Sequence, residues 1–362
     1  MGAPTFGSHA LTYILRYTSR VLALQAVTPE RLAASVPEVT LAEARKLVAQ
    51  VHRGEPIAAT SSIRRTAASA VRAAGHVPAL ELVRELASAV DPFVKYALAS
   101  AGDTFETVRI PLERAGRFSV CVSSQVGCAR ACAFCATGRL GLQRNLDAWE
   151  IVEQVRVVRA RLPHGRVHGV VFQGMGEPLA NLDNVLDAIR VMSEPCALGI
   201  DARAITVCTA GLPVGIRRLA AEVPNVRLGL SLSSAIADHR KRVMPIADRF
   251  ALDDVIAACA DHARTTGHAP MWAITLLAGV NDSDDDARAL AALAHAFLRD
   301  TGHRPRITLL DYNPIGGEDP FTRSPRLAAF RDVVGAAGLP THRRYSGGPD
   351  IAAACGQLAA LS

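Results

Sequence analysis

The stretch that decides the fold reads Phe118-Ser-Val-Cys-Val-Ser-Ser-Gln-Val-Gly-Cys-Ala-Arg-Ala-Cys-Ala-Phe-Cys135. It opens with an apolar run, Phe118–Val122, of the length typical of a buried strand. Cys128, Cys132 and Cys135 follow with the spacing CxxxCxxC. Three thiolates this close can surround one small object, and iron–sulfur clusters are bound by closely spaced cysteines in this way. We therefore expect a cluster-binding loop directly after the strand, with one iron left open for an outside ligand.

A structural zinc site is the competing interpretation of these three cysteines. Such sites normally close their shell with four protein ligands, arranged in two pairs. No second Cys or His pair stands at a suitable spacing in this sequence. The cluster is therefore favoured over zinc and over a chance grouping of buried cysteines.

From Phe118 onward, apolar strand-like runs alternate with helical patterns. Strands are predicted at 118–122, 167–172, 204–207, 226–232, 271–277 and 306–310. Helices are predicted at 148–161, 184–192, 252–265, 285–299 and 325–337. Six β–α units indicate a parallel sheet with its helices outside. Because the glycine-rich and polar motifs follow strands, as active-site residues do in β/α barrels, we expect an α/β fold with a partial (β/α)6 TIM-like barrel; a doubly wound open sheet is the alternative.

The chain before the barrel is expected to form a small, mainly helical accessory domain over residues 1–92. Apolar residues recur at three-to-four spacing in Leu41–Val51 and Ala79–Val90, which predicts two helices. Arg53–Arg65 between them contains Gly, Pro, Ser and Thr and is predicted as a loop. A contact of this domain with RNA is one possible role for it.

A β-hairpin is expected at residues 93–117, leading into the barrel. Two extended runs, 93–99 and 104–111, flank an Ala-Gly-Asp turn signal. The barrel core is then placed at 118–345 and a separate C-terminal segment at 346–362.

Composition excludes a membrane-spanning protein. No uncharged apolar run approaches the roughly 20 residues that cross a bilayer, and Met1–Arg16 lacks the pattern of a signal peptide. We therefore expect a cytoplasmic protein without a membrane partner, in which eight cysteines do not indicate structural disulfides. The net charge of +6 is compatible with RNA binding but also with many other enzymes.

A CxxxCxxC motif after the first strand of a β/α repeat is typical of the radical S-adenosylmethionine (SAM) superfamily. A longer set of blocks resembles, in order, the RlmN/Cfr family of RNA adenine methyltransferases. These blocks are Cys121–Cys128, Gly138–Leu146, Gly174–Pro178, Ser231–Ser233, Tyr312–Pro314 and Asp350–Leu358. They lie within residues 104 to 360, so the resemblance covers the predicted barrel and both of its flanks.

The resemblance implies a [4Fe–4S] cluster on the three cysteines of the motif and two SAM molecules per turnover. Cys355 would accept a methyl group from one SAM, and the radical formed from the second would activate that methyl group for addition to adenine carbon 2 or 8. Cys121 would then attack the Cys355 sulfur, releasing the methylated base and leaving a transient disulfide. Glu106 would act as the general base. Independently of the resemblance, Cys196, Cys208 and Cys259 are interpreted as buried or partly buried structural residues.

The SAM contacts implied by the resemblance lie just after predicted strands. They are Gly176, Glu177, Cys208, Ser231, Ser233 and Asn313. Two of these positions depart from the family pattern. Cys208 stands where the family has a serine, and Ser233 stands where it has a histidine, so these two contacts are expected to differ.

The partners implied are an RNA substrate, with ribosomal RNA favoured over transfer RNA, and an electron donor such as flavodoxin or ferredoxin. Two other functions remain open on the sequence alone. One is a radical SAM enzyme acting on a peptide or small molecule, with Cys121 and Cys355 only structural. The other is a catalytically silent, cluster-bearing RNA-binding protein.

Overall fold

The computed structural model describes residues 21–359. The chain forms two compact units that divide between Pro78 and Ala79. Met1–Arg16, where no signal peptide is expected, lies outside the described residues. Within the described residues, no helix is long and apolar enough to cross a membrane.

The described part of the N-terminal unit, residues 21–78, is mainly helical, and the unit ends before the boundary expected at residue 92. Its elements are β1 (Leu22–Ala23), α1 (Pro29–Ser35), α2 (Leu41–Arg53), α3 (Arg65–Ala74) and β2 (Gly75–His76). Thr40 caps the first turn of α2 in a capping box with Glu43. The Glu43 carboxylate also accepts from the Arg64 guanidinium at 2.8 Å, so one acidic side chain joins the start of α2 to the start of α3.

The larger unit is built on strands and on helices that connect most of them. Its strands are β3 (Glu81–Ala87), β4 (Val94–Ser100), β5 (Asp103–Pro111), β6 (Arg117–Val122), β7 (Gln125–Gly127), β8 (Leu142–Asn145), β9 (Arg166–Phe172), β10 (Ile205–Thr209), β11 (Arg227–Ser231), β12 (Met271–Leu276), β13 (Arg306–Asp311) and β14 (Thr341–Arg344). Its α-helices are α4 (Ala136–Arg139), α5 (Ala148–Ala160), α6 (Leu182–Ser193), α7 (Pro213–Glu222), α8 (Ala237–Val243), α9 (Leu252–Thr266), α10 (Asp284–Thr301) and α11 (Leu327–Ala336).

Ten of these strands form one sheet in the order β14-β13-β12-β11-β10-β9-β6-β5-β4-β3. From β6 to β14 neighbouring strands are parallel and follow chain order without reversal. Right-handed crossovers in an order that never reverses put every helix on one face. The other face therefore turns inward, which confirms the partial barrel over the doubly wound sheet. Because β14 and β3 are the two ends of the sheet, the barrel is not closed.

The predicted hairpin lies next to the edge strand β3. Strands β4 and β5 pair antiparallel and are joined by Ala101 and Gly102, which both have positive φ angles, 54° and 85°. Positive φ at both central residues is typical of the tight turns that match the twist of a hairpin. The hairpin continues through β5 into β6, the first parallel strand.

The helix predicted at Ala79–Val90 is wrong, because this stretch contains the edge strand β3. Strand β3 pairs antiparallel with β4, and its register shifts between Leu82 and Arg84. A bulge of this kind interrupts the two-residue alternation of a strand. The apolar residues of this stretch therefore have the three-to-four spacing that is expected of a helix.

A buried arginine joins the ends of two central strands. The Arg240 guanidinium, on α8, donates to the carbonyls of Ser231 at 2.9 Å and Leu232 at 2.5 Å, and to the carbonyl of Ala210 at 2.6 Å. Burial lowers the pKa of Arg240 to about 10. Its side chain therefore fixes the carboxyl ends of β10 and β11 to each other.

We expect Arg240→Met to lower the free energy of unfolding by about 3 kcal/mol, because three buried carbonyls lose their donor. Urea unfolding of the two proteins measures the difference. The matched control is Arg242→Met on the same helix, where the side chain is exposed and a change within about 0.5 kcal/mol is expected. Equal losses of unfolding free energy in the two variants would show that the three hydrogen bonds of Arg240 do not stabilise the fold.

Candidate active site

Cys128, Cys132 and Cys135 lie in the loop between β7 and α4. The Cys128 N–H donates to the Gly141 carbonyl at 2.7 Å, and the Cys135 N–H donates to the Cys132 carbonyl at 3.1 Å. Gly138 lies against this loop, where an added Cβ would stand 3.0 Å from both the backbone N and O of Cys132. The loop is therefore wound tightly against position 138, where a side chain would have to push the Cys132 backbone aside.

The environment of these thiols fits a metal centre. Burial raises the pKa of Cys128 to about 11, and it also raises the pKa values of Cys132 and Cys135. A bound metal reverses this tendency, because a coordinating thiol is deprotonated. Within residues 21–359 no three His, Cys, Asp or Glu side chains lie close enough together to hold a metal ion. The donor set nevertheless fits a cluster, because closely spaced cysteine thiolates are the ligands of [4Fe–4S] clusters.

Glu177 links two strand ends at the edge of the sheet that also carries the cysteine loop. Its carboxylate accepts from the N–H groups of Leu179 at 3.0 Å and Ala210 at 2.8 Å. Burial raises the pKa of Glu177, and these N–H groups oppose the rise. Gly176 beside it has a φ of 97°, and an added Cβ would lie 2.5 Å from the Gln125 side chain. The predicted SAM contacts of Gly176 and Glu177 stay predictions.

The other expected SAM contacts lie along the same edge. Cys208 is buried near the end of β10, and Ser231 is the last residue of β11. Ser233 has a φ of 60°, and its hydroxyl donates to the Met244 sulfur at 3.1 Å. The Asn313 side chain, two residues past β13, donates from Nδ2 to the Cys355 carbonyl at 3.3 Å.

Cys121, Cys135 and Cys355 line one cavity. Cys121 lies on β6, whereas Cys355 lies in the segment after β14, where its N–H donates to Ser346 Oγ at 2.6 Å. Burial raises the pKa of Cys121 to about 12 and also raises the pKa of Cys355. All eight cysteines are free thiols in this structure, so it contains no Cys121–Cys355 disulfide.

Glu106 is fully buried on β5 and contacts the C-terminal segment. Its Oε1 pairs with Lys95 Nζ at 2.8 Å, and its Oε2 accepts from the Ala359 N–H at 2.9 Å. Lys95 Nζ also donates to the Ala352 carbonyl at 3.2 Å. In this structure the carboxylate thus anchors the segment that carries Cys355, and its expected role as a base stays a prediction.

Two aspartates hold the C-terminal segment against the turn between β3 and β4. Asp350 accepts from the Ser88 hydroxyl at 2.7 Å and from the Ala89 N–H at 2.8 Å. Asp91 accepts from the Gly348 N–H at 2.8 Å. These contacts hold the chain before Cys355, and the bond from the Ala359 N–H to Glu106 holds it after Cys355.

Sequence reasoning missed two polar residues beside Cys355. Gln173 donates from Nε2 to the Cys355 sulfur at 3.1 Å, and Arg344 donates from Nη1 to Gln173 Oε1 at 2.7 Å. A signal was available for Gln173, which is the first polar residue after the apolar strand β9. Arg344 ends β14, a strand that was itself not predicted.

Comparisons with known proteins agree with this geometry. Residues 122–293 match the family model described as the radical SAM superfamily. A probable RNA methyltransferase of Sorangium cellulosum is 57% identical over 356 residues, covering 91% of this chain and 90% of that protein. A probable dual-specificity RNA methyltransferase RlmN of Gloeobacter violaceus is 42% identical over 281 residues, covering 77% of each.

The fold also matches a solved structure closely. The crystal structure of a radical SAM methyltransferase from Sphaerobacter thermophilus superposes with a TM-score of 0.82 at 35% sequence identity. The match covers 94% of this chain and 100% of that one. The similarity therefore extends well beyond the cysteine loop.

We expect Cys132→Ala to abolish iron binding, because one of three thiolate ligands is lost. Anaerobic reconstitution followed by iron analysis should give about four iron atoms per chain for the unaltered protein and almost none for the variant. Cys196→Ala is the control, since this partly buried thiol lies outside the cysteine loop. A Cys132→Ala protein that keeps its iron would contradict the assignment.

Proposed function

Because this chain belongs to the radical SAM RNA methyltransferase family that includes RlmN, we propose that it methylates carbon 2 or carbon 8 of an adenine in RNA. The observation that carries the proposal is the cavity lined by Cys355, Cys121 and Cys135. A candidate methyl carrier, a second thiol and a candidate cluster ligand therefore face the same cavity. A reaction that passes a methyl group through a cysteine needs all three within reach.

The cofactors of the proposal are a [4Fe–4S] cluster, held by Cys128, Cys132 and Cys135, and SAM. When bound, the cluster supplies the electron that cleaves SAM to methionine and a 5′-deoxyadenosyl radical. The proposed SAM contacts are Gly176, Glu177, Cys208, Ser231, Ser233 and Asn313. Although Glu177 already accepts two backbone N–H groups, a carboxylate has about four acceptor positions and can still bind an ammonium group.

Cys355 begins the proposed reaction by accepting a methyl group from one SAM. Displacement at a sulfonium methyl needs the thiolate, since the thiol is a weak nucleophile. Burial raises the Cys355 pKa, whereas the positive charge of Arg344 and the hydrogen bond from Gln173 lower it. These two groups therefore favour the reactive form within a desolvated cavity.

The 5′-deoxyadenosyl radical takes a hydrogen atom from the methyl group of methylated Cys355 and becomes 5′-deoxyadenosine, and the resulting methylene radical adds to the adenine carbon. The carbon that gains the methyl group must then lose a proton and one electron; Glu106 is the proposed proton acceptor, and an oxidised one-electron carrier takes up the electron. Lys95 and the Ala359 N–H hold both Glu106 oxygens in this structure. Proton acceptance by Glu106 would therefore require the end of the C-terminal segment to move.

Cys121 completes the proposed cycle by attacking the Cys355 sulfur, which releases the methylated base and leaves a disulfide. Cytosolic disulfides of this kind are transient and catalytic. The proposal includes a cytoplasmic location, where reductants return the pair to thiols, and an electron donor such as flavodoxin or ferredoxin. Ribosomal RNA is the favoured substrate over transfer RNA.

We expect Cys121→Ala to accumulate a covalent protein–RNA adduct, because the thiol that would release the base is missing. The test incubates the reconstituted variant anaerobically with SAM, reductant and ribosomal RNA. Nuclease digestion and peptide mass spectrometry should then find a modified adenine on Cys355, with less than one free methylated base per chain.

The matched control is the double variant Cys121→Ala with Cys355→Ala, which lacks the methyl carrier and should form no adduct. Formation of 5′-deoxyadenosine in each protein shows that SAM is still cleaved. Multiple turnovers by the Cys121→Ala protein, with no adduct, would contradict the mechanism in which Cys121 releases the base from Cys355. Methylated product from a Cys355→Ala protein would do the same.

A further inference from the structure

The amide side chain of Gln173 lies between a cation and the Cys355 sulfur. Its Nε2 donates to Cys355 Sγ at 3.1 Å, and its Oε1 accepts from Arg344 Nη1 at 2.7 Å. A guanidinium has donors only, so the amide oxygen must face Arg344 and the NH2 group must face the sulfur. Arg344 therefore fixes an amide that could otherwise flip.

Gln173 also adjoins the second thiol of the proposed mechanism. It follows β9 directly, and β9 pairs with β6, the strand that carries Cys121. The backbone N–H of Gln173 faces the Cys121 thiol and opposes the rise of its pKa. Cys121, Gln173, Arg344 and Cys355 all line the same cavity. One residue thus contacts both sulfurs.

The backbone of Cys355 is held independently of Gln173. Its N–H donates to Ser346 Oγ at 2.6 Å, and its carbonyl accepts from Asn313 Nδ2 at 3.3 Å. These contacts leave χ1 of Cys355 free to choose among three staggered positions, which put the sulfur in different places. The hydrogen bond from Gln173 selects one of them.

We propose that Gln173, oriented by Arg344, is the positioning residue that holds the Cys355 sulfur in place to accept a methyl group. The inference rests on the proposed function of Cys355 and adds two residues to it. A neutral amide donor suits both states of the sulfur. It donates to a thiolate before methylation, and it remains compatible with a thioether, which is a weak acceptor, afterwards.

The kinetic test uses Gln173→Met, which keeps the length of the side chain and removes both hydrogen bonds. Methyl transfer to Cys355 is followed in a single turnover with methyl-deuterated SAM and peptide mass spectrometry. We expect the rate constant at saturating SAM to fall about tenfold, with iron content and the half-saturating SAM concentration unchanged. An unchanged rate constant would overturn the proposal. Asn225→Leu, at an exposed amide next to the amino end of β11, is the matched control.

The role of Arg344 is tested by coupling. Arg344→Lys keeps the positive charge but loses the planar fork that orients the amide. We expect this change to slow methyl transfer severalfold in the unaltered protein and hardly at all in Gln173→Met, because Arg344 acts through Gln173. Equal slowing in both backgrounds would show that Arg344 acts without Gln173, contrary to the proposal.

Crystal structures of the reduced unaltered protein and of Gln173→Met give a readout that needs no activity. We expect one Cys355 Sγ position in the first and a displaced or divided position in the second. The same Sγ position in both would overturn the proposal. If the unaltered protein takes up no methyl group at Cys355, the proposed function fails, and the two Sγ positions still decide whether Gln173 positions the sulfur.

Discussion

The site depends on the docking of the C-terminal segment onto the carboxyl edge of the parallel sheet. Strand β6 carries Cys121, and the loop beyond it carries Cys135, whereas Cys355 comes from a stretch more than 200 residues later. Backbone contacts bring the two together, because the Ala136 N–H donates to the Gly356 carbonyl at 2.7 Å. The ion pair of Glu106 with Lys95 lies beneath the same segment. Without this docking the sheet would hold the cysteine loop and Cys121, and Cys355 would not lie beside them.

Desolvation sets the electrostatics of the cavity. It raises the pKa values of Cys121, Cys355 and the cysteines of the loop, so buried thiols alone would be inert. The groups that oppose this rise in pKa differ between the thiols. For Cys355, the Arg344 charge and the Gln173 amide lower the pKa, whereas a metal centre bound to the loop cysteines would deprotonate them. Perturbed titratable groups that converge on a cleft are typical of functional sites.

Much of this could be predicted from sequence, because the parallel strands are short apolar runs and the cysteine spacing is local. The strand predicted at 118–122 and the helix predicted at 148–161 were confirmed nearly to the residue. The edge strand β3 was mistaken for a helix because a bulge disturbs its alternation. Gln173 and Arg344 were missed for another reason. They are 171 residues apart, and no local sequence pattern indicates that two side chains so distant in the chain lie together beside the Cys355 sulfur. Glu106 and Lys95 lie on the two paired strands of the predicted hairpin, but the C-terminal segment that contacts both of them is far away in the sequence.

The proposed function requires Cys355 to carry the methyl group on its way to RNA. The most direct test is mass spectrometry of the peptide containing Cys355, after anaerobic expression and incubation with methyl-deuterated SAM without RNA. We expect a deuterated methyl group on Cys355 and none on Cys121. An unmodified Cys355 in a protein that holds its cluster and cleaves SAM would overturn the proposed function, and would leave a radical SAM enzyme that uses another route.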